Sequence, residues 1–249
     1  VLLGALFLLR GGGYLPGDVL GWFWPLFVAA VGAWILVGAF NRPQYETIEK
    51  FSIPLEGARE ASLSIEHGAG RVELQSGARA GDFLTGVTGT GMQKSSRLAD
   101  GKLEVKIEAG PSILPFLGPE GGVWHYRLTS DIPISIKLEA GASRLDVDLT
   151  DLRVTYFSFE GGAADLNLSL PARVESALFD IEAGAASIDV SVPEGVALRL
   201  RARSVGLLQV DERRFPLRES GIYQSPDYET ARYHAELSVS GGATSVHLH

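Results

Sequence analysis

Hydrophobic positions along this chain change their rhythm once, close to residue 60. Before that point they run together. Val19–Phe40 reads VLGWFWPLFVAAVGAWILVGAF, without a charged residue. As a helix it would extend about 33 Å, enough to cross a hydrocarbon layer of roughly 30 Å. Trp22 and Trp24, near one end, suit an interfacial belt where an indole keeps its ring apolar and its N–H wet. Pro25 lies early in the helix, where a missing N–H costs little; with Trp34 these residues form the expected membrane anchor. Val1–Leu9 is apolar but too short to span, and the glycine-rich stretch from Arg10 to Asp18 follows as a turn. The pattern therefore predicts a transmembrane hairpin over residues 1–43 with a truncated first helix, a linker over 44–61 and a repetitive β domain over 62–249.

From Ser62 onward apolar and polar residues alternate, broken by glycine, and one phrase recurs. It appears as Ile65-Glu66-His67-Gly68, Ile107-Glu108-Ala109-Gly110, Leu138-Glu139-Ala140-Gly141, Phe159-Glu160-Gly161-Gly162, Ile181-Glu182-Ala183-Gly184 and Val239-Ser240-Gly241-Gly242. The intervals from Glu139 to Glu160 and from Glu160 to Glu182 are 21 and 22 positions. Val87-Thr88-Gly89 would fit as a degenerate copy inside the longer gap between Glu66 and Glu108. Six residues beyond each Glu (or Ser240) stand Val72, Leu114, Leu145, Leu166, Ile188 and Val246. Two further on are Leu74, Phe116, Val147, Leu168, Val190 and Leu248, and three residues before are Leu63, Val105, Ile136, Phe157, Phe179 and Leu237. Each unit reads as a strand, a glycine turn and a second strand, each with one apolar face. One unit cannot bury that face alone, whereas stacked units share a core. The expected fold is all-β, a solenoid of 21–22-residue repeats in preference to a serial β-sandwich.

Composition narrows the chemistry. The chain has no cysteine, which excludes disulfides, thiolate metal sites and cysteine nucleophiles. A formal net charge of -8 argues against a sequence-independent grip on nucleic acid. Gly86-Val87-Thr88-Gly89-Thr90-Gly91-Met92-Gln93-Lys94-Ser95 superficially resembles a phosphate loop, but the lysine does not directly follow the last glycine and no helix pattern follows the segment. Neither a nucleophile elbow nor a metal-binding HExxH helix is present. The chain is read as a non-enzyme with no cofactor, catalytic residue or assigned metal ligand. The glutamates of the phrase are read as solvated corner residues, and Asp146, Asp148, Asp165 and Asp189 as the polar strand face. His247 and His249 share a strand face and would form a metal site only if His234 approached; the preferred reading is exposed terminal-strand histidines.

One charged group stands out on so acidic a chain. Arg199, Arg201 and Arg203 alternate on one strand face, and Arg213, Arg214 and Arg218 follow closely. They are the candidate interaction surface, toward anionic lipid headgroups or, as the preferred reading, toward the protein's own acidic faces.

Two stretches carry a family resemblance. Phe23-Trp24-Pro25-Leu26 and Gly32-Ala33-Trp34, preceded by Leu3-Gly4-Ala5-Leu6-Phe7-Leu8-Leu9, resemble the transmembrane region of LiaI/LiaF-type envelope proteins. Val192-Pro193-Glu194-Gly195-Val196, Gly221-Ile222-Tyr223-Gln224-Ser225-Pro226-Asp227-Tyr228 and Ser240-Gly241-Gly242-Ala243-Thr244-Ser245-Val246 resemble the toast-rack, LiaF C-terminal-like β domain. The resemblance implies a bacterial envelope-stress sensor or modulator in the cytoplasmic membrane. A structural subunit of a larger membrane assembly is the alternative. Expected partners are the lipid bilayer and other membrane proteins or further copies of the chain. Arg42, Lys50 and Arg59 after the second helix outnumber Arg10 in the reversal, which places the β domain on the cytoplasmic side.

Overall fold

The computed structural model describes residues 49–88, 92–108 and 123–249. The expected hairpin, with Trp22, Trp24, Pro25 and Trp34, lies outside them, as do Leu114 and Phe116. Among the described residues no helix is long and apolar enough to cross a membrane. Among the described residues fourteen strands make one sheet: β1 Glu49–Pro54, β2 Glu60–Ser76, β3 Asp82–Thr88, β4 Gln93–Ala99, β5 Lys102–Glu108, β6 Val123–Leu128, β7 Ile134–Asp148, β8 Val154–Ser169, β9 Ser176–Ser191, β10 Ala197–Arg203, β11 Leu207–Val210, β12 Leu217–Glu219, β13 Ile222–Gln224 and β14 His234–Leu248. The stretch 44–61, read as a linker, holds β1 and the start of β2. β1 is a strand because its backbone pairs antiparallel with β3.

The long strands β2, β7, β8, β9 and β14 form a parallel, in-register ladder. Parallel register from repeat to repeat is the solenoid, not a serial sandwich. The apolar columns meet as expected: Val72, Leu145, Leu166, Ile188 and Val246 are consecutive partners, and all are buried. Leu63, Ile136, Phe157, Phe179 and Leu237 form a second buried column. Removing each such side chain from water contributes about 1.5–3 kcal/mol.

The repeated phrase is not a turn between two strands. It lies inside each long strand, and ladder pairing continues on both sides of it, from Ala140 with Gly161 to Ala142 with Ala163. None of Gly68, Gly141, Gly162, Gly184 and Gly242 has the left-handed backbone that a tight turn demands. Instead these glycines stack. A Cβ on Gly141 would lie 2.6 Å from the Gly68 carbonyl oxygen, and one on Gly162 would lie 2.9 Å from that of Gly141. The phrase is a bend, and the bend shifts the inward phase by one residue: Leu138 and Ala140 are buried before it, Ser143 and Leu145 after it. A one-residue shift exchanges the faces of a strand. Both arms of each rung therefore present their apolar side to one core.

Spatial order departs from chain order at both ends. The Ile107-Glu108 copy, on β5, stacks outside β2, not between β2 and β7. β5 lies along the first arm of β2, and β6 along its second arm. At the far end β14 enters between β9 and a second split rung, with β10 along its first arm and β11 along its second. Val87 and Thr88 are no degenerate rung; they close β3, which runs antiparallel to β1 and β6. Antiparallel strands β4 and β13 likewise cover β5 and β10, protecting edges that would otherwise offer unpaired backbone groups.

Candidate interaction surface

The outward face of the first arms is set by the same alternation that fills the core. One row across it is Glu108, Glu66, Glu139, Glu160 and Glu182, each in register with the next. At a strand spacing of about 4.8 Å such carboxylates repel unless a cation intervenes. Two lysines intervene. Lys106 Nζ lies 2.8 Å from Glu66 and 2.5 Å from Glu108, while Lys137 Nζ lies 2.9 Å from Glu139 and 3.2 Å from Glu160. Hydrogen bonds to Glu108 and then Glu66 hold Lys106 above the ordinary lysine range. Those to Glu139 and Glu160 do the same for Lys137. The glutamates thus face solvent at the bend, as expected, with lysine clamps between them.

A row farther from the bend on this face contains Ser62, Ser135, Tyr156, Leu178 and Glu236 in register. Tyr156 is 40% exposed and Leu178 is 51% exposed. Two large apolar groups are thus neighbours on adjacent strands of an uncovered sheet. Beside them a groove of about 550 Å³ runs between β4 and the first arms, lined by Ser62, Ser135, Ser96, Arg97 and Tyr156. Sequence reasoning missed Tyr156 and Leu178. The signal was present: each occupies the outward phase, one residue before the inward Phe157 and Phe179.

The six arginines do not form a common patch. Arg199 donates to Gln224 Oε1 at 2.7 Å and to Glu229 Oε1 at 2.5 Å, and its guanidinium lies 4.2 Å from the Tyr228 ring centroid. Arg201 pairs with Glu236 at 3.1 Å. Burial pushes the Tyr228 phenol up, with the positive charge of Arg199 opposing it. Arg214 is committed elsewhere, donating to the Val192 and Pro193 carbonyls at 2.8 and 3.0 Å. Arg203, Arg213 and Arg218 are exposed. Arg199 and Arg201 therefore pair within the protein, with Glu229 and Glu236 in place of the Asp face of the second arms. That Asp face has its own cations, since Arg71 meets Asp146 at 2.7 Å and Arg144 meets Asp165 at 3.0 Å. His234 stays at the opposite end of β14 from His247 and His249; Asp189 of β9 meets those two instead.

This ladder of glutamate-glycine rungs coincides with a known sequence family. The model of the family described as the N-terminal domain of toast_rack, DUF2154, matches residues 42–191. The chain belongs to the toast-rack family. The matched span of the toast-rack domain ends where β9 ends, so β14 completes the ladder from outside it. No curated protein matches the sequence. The crystal structure of a candidate cell adhesion protein from Clostridium sporogenes shares the toast-rack fold. It superposes with a TM-score of 0.73 at 17% identity, over 80% of this chain and 97% of that one.

Proposed function

We propose that this toast-rack protein is a non-enzymatic, membrane-anchored interaction domain that docks another envelope protein on its first-arm face. The observation that carries the reading is the exposed Tyr156–Leu178 pair on a register-locked sheet. Single exposed apolar residues are ordinary on protein surfaces, but adjacent ones on a flat, rigid face offer an anchor with little ordering cost. The surrounding Glu, Lys and Arg residues would supply the polar rim. The description of the Clostridium sporogenes protein as a candidate adhesion protein is in keeping with a binding role. Residues 1–43 serve as the anchor in this reading, on the strength of the uncharged run Val19–Phe40 and its likeness to LiaI/LiaF-type hairpins. Modulation of an envelope-stress partner at the bacterial cytoplasmic membrane is the finer form of the proposal.

The test is crosslinking in native membranes with Leu178→Asp and Tyr156→Ala variants. Wild-type chain should capture a discrete partner, and both variants should lose it while their circular dichroism and melting stay unchanged. Equal capture by all three would refute the docking face. A second reading, an assembly scaffold, rests on β11. Among the described residues it pairs with β14 alone, and it carries Leu207 at 54% exposure, so in this reading its outer edge takes strand addition by a further copy.

A further inference from the structure

The outward face of the second arms carries a different constellation near the end of β14. Asp189 of β9 is the in-register partner of His247, and His249 follows two residues on, on the same face. His247 Nδ1 lies 2.9 Å from Asp189 Oδ2, and His249 Nδ1 lies 3.6 Å from Asp189 Oδ1. One donor atom from each of the three residues falls within 4.8 Å of the others. We propose that Asp189, His247 and His249 form a binding site for a single divalent transition-metal ion of the zinc, cobalt or copper type.

The distances carry the argument. Four donors at about 2.0–2.1 Å from a zinc ion in tetrahedral array stand about 3.3 Å from one another. The two nitrogen-to-carboxylate separations, each to a different oxygen of Asp189, bracket that value, so rotation of these half-exposed side chains would bring three donors onto one ion. Two imidazole nitrogens with one carboxylate select a borderline transition metal over magnesium or calcium, which take oxygen ligands. The fourth position opens to solvent, because all three side chains are about half exposed. The two imidazole rings, tilted by 32° with centroids 5.1 Å apart, both direct Nδ1 at the same carboxylate.

The support around the triad is of the kind that orients a ligand. His249 Nε2 lies 2.7 Å from the Ser191 hydroxyl. With Nε2–H donating there, Nδ1 keeps its lone pair and faces Asp189, the tautomer that ligation requires. The register neighbours on this face are neutral: Ser187 and Ser245 precede the pair, Asn167 flanks Asp189, and Gln209 flanks His247. Such an ion would tie β9 to β14, the last of the long strands in chain order.

Titration of the purified full chain with zinc chloride, followed by calorimetry, tests the proposal, with cobalt chloride as an optical probe. Binding of one ion per chain is expected, with the absorption bands of tetrahedral cobalt and a rise in melting temperature that saturates with the metal. Asp189→Asn, His247→Gln and His249→Gln should each weaken binding at least tenfold, and Ser191→Ala several-fold. His125→Gln is the control, because His125 also faces a carboxylate, Glu73 at 2.8 Å, but lies outside the triad. Retained affinity in the triad variants, or loss of affinity in the His125 variant, would overturn the assignment. None of these side chains is buried, and unchanged circular dichroism would confirm that the variants fold.

Discussion

His67 occupies the inward position just before the bend, where the neighbouring rungs place Ala140, Gly161, Ala183 and Gly241. It is buried, with its ring edge-on to Trp124 at 5.0 Å and its Nε2 without a partner. Burial holds its pKa below the ordinary histidine value, against a smaller opposing effect of the backbone at Ala69. The unfolded chain therefore binds a proton more readily than the folded one. The stability associated with neutral His67 is full above about pH 6.5 and falls as pH drops below it. Chemical denaturation at pH 7.5 and 5.5 should show this loss, and His67→Ala should shrink the difference between the two. An equal pH effect in the variant would assign it to other groups. The glycine of the bend is a second single-residue constraint. Gly141→Ala would drive a methyl group against the Gly68 carbonyl, and a loss of about 1–3 kcal/mol in urea unfolding is expected. Glu194→Ala, on an exposed loop, should cost almost nothing.

Among the elements, the long strand is the unit that matters, since each one serves both layers of the core. Leu166→Ala or Ile188→Ala removes a fully enclosed side chain between rungs and should cost about 2–5 kcal/mol. Asp165→Ala breaks an exposed ion pair with Arg144 and should cost less than about 1 kcal/mol, as read from denaturant midpoints. Similar costs for both would show that the inward phase is assigned wrongly. The inward columns were readable from sequence because a rung repeats its apolar positions at a fixed interval. The bend was misread as a turn because glycine serves two purposes, left-handed backbone and close approach, and spacing alone does not distinguish them. The odd separation of Ile136 and Leu145, both inward, was the available clue: an unbent strand would put them on opposite faces.

For the whole molecule, the proposed anchor raises the question of which side of a membrane the β domain would face, and the absence of cysteine from the sequence makes the test clean. A single Glu194→Cys substitution in the full chain should react with a membrane-impermeant maleimide only after cells are broken, if the domain is cytoplasmic. Labelling of intact cells, with the outer barrier opened, would place it outside. The sequence by itself determined the all-β class, the rung length, the core columns and the uncharged run before the domain. Each follows from local periodicity, and periodicity is a one-dimensional property. Only the tertiary structure decided that β5 stacks outside β2, that β14 enters beside β9, and that split rungs and antiparallel strands close both ends. It also brought Asp189 to His247, Glu229 to Arg199, and Tyr156 beside Leu178. Every rung presents nearly the same edge, so the repeat pattern leaves the stacking order open. That order depends on which loops let distant strands reach an edge, and on whether the outward charges are matched once they arrive.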